Sequence, residues 1–181
     1  MGCGIVRELC ICAEVRRGRN QVEVLVVRHY RERRLGSNSG RLVLLALERA
    51  RVVDWGLRER PELDFSGDTW VLAAEGGTVP ERMPERIVAM DGSWRQARKM
   101  LRRVPGVLEL PKLSLKSVPR LRMRRQHLVN GMATAEAIAM ALDAVGDLGG
   151  EELTEAYAMQ VHRMRVSQGL EPLSPGPPGS G

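Results

Sequence analysis

Short apolar runs separated by helical stretches constrain this chain more than any other feature. Gln21 to Val27 reads as a buried strand, Thr69 to Ala74 as a second, Ile87 to Met90 as a third and Val107 to Leu110 as a fourth, with Val52-Val53 as a short additional strand. Arg41 to Arg51, Trp94 to Arg103, Thr134 to Val145 and Glu151 to Gln168 carry helical patterns, the first with Asn38 or Ser39 as N-cap. Arg28 to Gly40 reads as a polar loop, and Lys112 to Gly131 as irregular and basic. Strands alternating with helices predict an α/β layered domain with a mostly parallel sheet. Ligands of such sheets sit at the carboxyl ends of the strands, so the residues that follow strands are the informative ones.

With 181 residues the chain can bury one full core but not two large ones. Its 43% apolar and 28% charged residues exclude disorder for most of the length. No apolar run approaches the roughly 20 residues of a membrane span. Met1 to Arg7 lacks the basic start and apolar stretch of a signal peptide; a cytoplasmic protein is expected. The last residues, Pro172 to Gly181, contain only Pro, Gly, Ser and Leu and are expected to be a disordered tail.

Charge is unevenly distributed. The net charge is +6, and only three of the 28 cations are Lys. Eleven cations and one acid, Glu109, lie between Arg95 and Arg125, whereas Asp143 to Glu155 holds five acids and no cation. A one-sided basic block is the footprint of a phosphate-rich partner, although a solvated helix face and loop would read the same way. One Phe and two Tyr are too few for a base-stacking platform.

The sharpest site is Ile87 to Lys99. A buried strand ends at Met90, Asp91-Gly92 makes a turn, and Ser93 and Gln96 have capping-box spacing for the next helix. This places a carboxylate, a helix N-terminus and Trp94 together at a strand's end. A helix N-terminus attracts anions and a Trp face attracts cations. The same residues also suit a plain turn with Trp94 in the core, and both readings are open. A second site is Asn38-Ser39-Gly40-Arg41, a small-residue loop opening a helix, whose backbone N–H groups suit an anionic ligand.

Cys3, Cys10 and Cys12 cluster at the N-terminus. In a cytosolic protein this spacing favours metal over disulfide, but a closed zinc site needs four ligands. His29, His127 or His162 would have to complete it; three buried thiols without metal fit equally. There is no dinucleotide or P-loop glycine spacing, no H-E-x-x-H and no G-x-S-x-G.

The run Met90 to Leu101, Met-Asp-Gly-Ser-Trp-Arg-Gln-Ala-Arg-Lys-Met-Leu, resembles the signature of the DTW-domain family, Asp-x-Thr/Ser-Trp followed by a Gln-Ala-Arg-Lys-like helix. The literal Asp68-Thr69-Trp70 opens a strand without the following helix and is a decoy. Other elements match in order. Cys3 and Cys10-Ile11-Cys12 are similar to a four-cysteine pattern from its second cysteine onward. His29-Tyr30-Arg31-Glu32 is similar to His-Pro-x-Glu, Asn38 to Leu42 to Asn-Thr-Gly-Arg-Leu, and Leu110-Pro111 to a Leu-Pro pair. Ser117 to Arg122 is similar to Ser-x-Tyr-x-x-Arg, with Pro119 in place of Tyr, and Ala133 to Ala137 to Ser-Thr-x-Glu-Ala.

The resemblance implies a SPOUT-like α/β domain with a C-terminal trefoil knot over 16–170, behind a Cys-rich segment 1–15 and ahead of a tail 171–181. It implies transfer of the 3-amino-3-carboxypropyl group of S-adenosylmethionine to N3 of a tRNA uridine, releasing methylthioadenosine. On that reading Asp91 accepts the N3 proton or orients the donor, and Trp94 walls the donor pocket with Gly92 and Ser93. Asn38, Ser39, Gly40 and Arg41 hold the donor's amino-acid end, Leu110, Pro111 and Thr134 line the adenosine pocket, and Glu136 fixes a loop or a polar donor group. Arg95, Arg98, Arg102, Arg122, Arg124 and Arg125 are candidates for tRNA phosphates. Cys3, Cys10 and Cys12 are candidates for a structural zinc, and a homodimer is expected by analogy. The competing readings are a SPOUT-type RNA methyltransferase using the same donor, a non-catalytic RNA-binding module and a general DNA-binding protein.

Overall fold

Val24, Val26, Ile87 and Ala89 enter one apolar cluster, while their neighbours Leu25, Val27, Val88 and Met90 enter another. Strand residues alternate between faces, so a sheet apolar on both faces must be covered on both. The computed structural model describes residues 6–36, 38–58, 61–115 and 132–170. Its strands are β1 (Glu23–His29), β2 (Ala50–Trp55), β3 (Thr69–Leu72), β4 (Arg86–Asp91) and β5 (Lys112–Leu113), in the order β2-β1-β4-β3-β5. Every neighbouring pair is parallel. Helices α1 (Gly40–Ala46), α3 (Thr134–Ala144) and α4 (Gly149–Ser167) supply the first cluster, and α2 (Trp94–Arg103) the second. The α/β class and the parallel sheet agree with the sequence. The trefoil knot depends on the path of 116–131, which lies outside the described residues, as does the expected tail 171–181.

Three elements differ from expectation. The helix expected over Arg41 to Arg51 ends at Ala46, and its last two residues open β2. The Ala46 carbonyl accepts from the Gly18 N–H, and the Asn20 side chain bonds both backbone groups of Arg49 at 2.9 Å. These distant partners capture groups that a longer helix would have paired internally. The strand expected over Val107 to Leu110 is a series of turns, with Val107 bonding back to Val104 and Leu110 to Val107. Pro105-Gly106, with Gly106 at φ +80°, keeps the chain turning, and the sheet is rejoined at Lys112. The loop expected from Arg28 begins two residues later: Arg28 and His29 extend β1, and Tyr30–Arg34 is a 3-10 turn.

The N-terminal segment joins the main core. Ile11 is fully buried, Cys10 and Cys12 pack against the α1/α3/α4 cluster, and Arg163 of α4 bonds the Cys10 carbonyl and Glu14. The buried Asp147 ties the start of α4 to β1. Its carboxylate accepts from the N–H groups of Gln21 and Val22 at 2.7 Å and from Gly149 at 2.8 Å.

One consequence of the topology positions the site. From β1 the chain leaves through α1 to β2, on one side; from the adjacent β4 it leaves through α2 to β5, on the other. Chains that diverge from neighbouring carboxyl ends open a crevice, where α/β sheets bind ligands.

Candidate active site

Asp91 is the last residue of β4, at that crevice, and is 3% exposed. It shares a face of β4 with Ala89, so its carboxylate is on the side of α1 and α3. Asn38 Nδ2 donates to Asp91 Oδ2 at 2.6 Å, and Thr134 Oγ1 donates to Oδ1 at 2.6 Å. Asn38 precedes α1, and Thr134 opens α3. Asp91 therefore gathers segments 53 and 43 residues away in the sequence.

The other residues of the Asn38 loop follow from this clamp. A Cβ on Gly40 would lie 2.6 Å from Asp91 Oδ2, so only glycine lets α1 start this close. Ser39 stands at the N-cap of α1, but its hydroxyl accepts from the Ala135 N–H at 3.2 Å and so joins α1 to α3 instead of capping. Arg41 is half-buried in the first turn of α1, and Glu136 is buried in the first turn of α3. Asn38 Oδ1 is buried and has no hydrogen-bond partner among the described residues.

On the other side of the Asp91-Gly92 turn, the capping box forms as its spacing predicts. Ser93 N–H donates to Gln96 Oε1 at 2.7 Å, and Gln96 N–H to Ser93 Oγ at 3.4 Å. Trp94, the first residue of α2, is 40% exposed and is not a core residue. It borders an open cleft of about 580 Å³ whose lining mixes apolar residues such as Val71, Leu101 and Leu108 with Arg98, Arg102, Lys112 and Glu75. A smaller hollow of about 370 Å³ is lined by Trp94, Arg95, Arg98 and Arg102. Arg95, Arg98 and Arg102 are exposed and form no ion pair among the described residues. Leu110 packs against the α2-side core and Pro111 is exposed, with its carbonyl accepting from the Val71 N–H. The structure thus joins Asn38, Ser39, Gly40, Asp91 and Thr134 on one side of the sheet, and Trp94 with the arginines and the Leu110-Pro111 segment on the other.

Arg122, Arg124, Arg125 and Cys3 lie outside the described residues. Among the described residues no group of three or more His, Cys, Asp or Glu side chains is placed to hold a metal. Asp68-Thr69-Trp70 sits at the opposite, amino end of the sheet, where Trp70 Nε1 donates to Asp68 at 2.9 Å.

With β1 ended at Val27 in the sequence reading, Arg28 has no place at the strand's end, and His29 enters only as a possible zinc ligand and within the His29 to Glu32 family element. His29 stands beside the α2 cap: its Nδ1 accepts from Arg31 N–H at 3.4 Å and lies 3.3 Å from Gln96 Nε2. An accepting Nδ1 leaves the proton of the neutral ring on Nε2. Partial burial lowers the His29 pKa, helped by the positive charges of Arg31 and Lys99. Arg28 is 9% exposed and donates from Nε to Asp54 Oδ1 at 2.7 Å. The carboxyl-end rule would have found both had the strand been carried two residues further.

The DTW domain model matches residues 1–165. The chain belongs to the DTW-domain family. The match includes the Cys-rich segment and every site element described above, and membership is consistent with a role in tRNA modification. No solved structure matches the chain. Among the described residues no helix of this DTW-domain protein is long and apolar enough to cross a membrane.

Proposed function

We propose that this DTW-domain protein transfers the 3-amino-3-carboxypropyl group of S-adenosylmethionine to N3 of a uridine in tRNA. The bond between N3 and the donor's γ-carbon forms, the bond from that carbon to sulfur breaks, methylthioadenosine leaves with the electron pair, and the N3 proton passes to solvent. The sulfonium is already a good leaving group, so the protein's task is to turn the γ-carbon toward the base and hold it there. The observation that carries this reading is the buried Asp91 clamp at the switch-point crevice, with a Trp94-bordered cleft carrying Arg98, Arg102 and Lys112 on the other side of the sheet.

With both oxygens engaged and 3% exposure, Asp91 suits a positioning role. It anchors the Asn38–Arg41 loop and the start of α3 and places a negative charge near a cationic donor. Trp94 borders the cleft on the α2 side of the sheet. Arg95, Arg98 and Arg102, with no acidic partner among the described residues, take RNA phosphates. Cys10 and Cys12, packed on the core, would stabilise the N-terminal segment with or without a structural zinc.

The test uses unmodified tRNA and two donor preparations, labelled in the carboxyl or the methyl group. Carboxyl label in RNA without methyl label supports aminocarboxypropyl transfer. Methyl label alone moves the protein to the methyltransferases, and label from neither, with no donor binding by calorimetry, leaves an RNA-binding module.

A further inference from the structure

Arg28 stands in the register of β1 opposite Asp54 of β2 and Asp91 of β4. Residues in register on neighbouring strands share a face, so Asp54, Arg28 and Asp91 form one row across the carboxyl edge of the sheet, on the α1 and α3 side. Nε of Arg28 is taken by Asp54, which Arg33 also approaches at 3.9 Å. The terminal Nη1 and Nη2 groups of Arg28 make no hydrogen bond among the described residues, although the residue is only 9% exposed. Neither Nη is among the buried polar atoms without a partner, so the accessible remainder of this mostly buried side chain is the end of its fork. The planar fork that remains matches a carboxylate. Next to Asp91 in the same crevice, Asn38 Oδ1 is a buried acceptor without a donor. A fork that needs an anion and an oxygen that needs an N–H are the complement of an α-amino-acid head group.

We propose that Arg28, oriented by Asp54, anchors the α-carboxylate of the donor, with Asn38 Oδ1 facing its α-ammonium. This rests on the proposed use of S-adenosylmethionine. It assigns the carboxylate to Arg28 rather than to Arg41. RNA phosphates are met by the exposed arginines of α2, whereas Arg28 is buried for most of its length between Asp54 and Asp91 and offers only the end of its fork.

Calorimetry with S-adenosylmethionine, decarboxylated S-adenosylmethionine and methylthioadenosine tests this on the full chain. Wild type is expected to bind S-adenosylmethionine about 10- to 100-fold more tightly than the decarboxylated form. Arg28→Gln should abolish that preference and leave affinity for methylthioadenosine unchanged, while Arg28→Lys, which keeps the charge but not the fork, restores part of it. Equal affinity of wild type for the two donors overturns the proposal without any variant. So does an equal loss for all three ligands in a folded Arg28→Gln. If Arg28→Gln instead keeps donor binding and weakens tRNA binding, with a shallower salt dependence, the group is a phosphate contact and the proposal fails. Wild type that binds none of the three ligands overturns the donor reading itself.

Discussion

Gly40→Ala is the smallest change that tests the Asp91 clamp. The added Cβ would lie 2.6 Å from Asp91 Oδ2, 2.9 Å from its Cγ and 3.4 Å from Asn38 Oδ1. An ordinary contact requires the carboxylate or the helix to move by about 0.8 Å. Neither moves easily. Thr134 holds the other oxygen at 2.6 Å, β4 is paired on both sides, and Leu42 and Val43 of α1 are fully buried. Overpacking costs about 1–3 kcal/mol, and loss of the Asn38 bond to a carboxylate about 1.5–3 kcal/mol. The alanine's helix propensity returns at most about 1 kcal/mol. A net loss of about 2–4 kcal/mol lowers the Tm by about 4–16 °C for a chain of this size. Thermal unfolding followed by circular dichroism reads it directly. The steric origin has its own signature: in an Asp91→Ala background the atoms in the way are gone, so Gly40→Ala should cost much less there. An unchanged Tm for the single variant, or the same cost in both backgrounds, refutes the clamp.

Asp91→Asn keeps the shape but removes the charge; label transfer to tRNA is expected to fall by at least about 10-fold with a Tm change under about 5 °C, and full activity would remove Asp91 from the site. Arg98→Glu with Arg102→Glu should weaken tRNA binding and reduce the slope of log affinity against log salt by about two; an unchanged slope would exclude the α2 cleft as the RNA surface. Asp147→Ala strands three backbone N–H groups and should cost about 3 kcal/mol, or about 6–12 °C in Tm; a loss under 2 °C would contradict the buried bonds drawn for it. The His29 pKa is held below its ordinary value of 6.5. The unfolded chain therefore takes up that proton first as pH falls, and the stabilising contribution is complete above 6.5 and lost on acidification below it. Wild type should lose Tm between pH 7 and about pH 5.5, and His29→Asn should lose less over the same range; equal losses would show that His29 is not the group involved.

Local rules made part of this protein legible. The capping box at Ser93 and Gln96, the α2 bounds and the β4 run depend on neighbours within a few residues, and all three were readable from spacing. The alternation of strands and helices was enough for a parallel α/β sheet and for the importance of strand ends. It failed at Arg41 to Arg51 and at Val107 to Leu110, because there the deciding partners are remote: Gly18 and Asn20 end α1 from outside, and β3 takes Pro111 and Leu113 rather than the Val107 run.

The candidate site divides in the same way. That Asp91, Trp94 and the Asn38 to Arg41 loop stand at strand and helix ends was visible in the sequence. That Asp91 bonds Asn38 and Thr134, that Gly40 has no room for a side chain, and that Arg28 and His29 belong to the crevice are statements about segments far apart in the chain. Sequence by itself determined the elements whose ends are set by neighbours, such as α2 and β4, because propensity, capping and apolar periodicity act over a few residues. Only the tertiary structure decided which of their ends meet, because strand order and register are chosen by burial of the whole sheet.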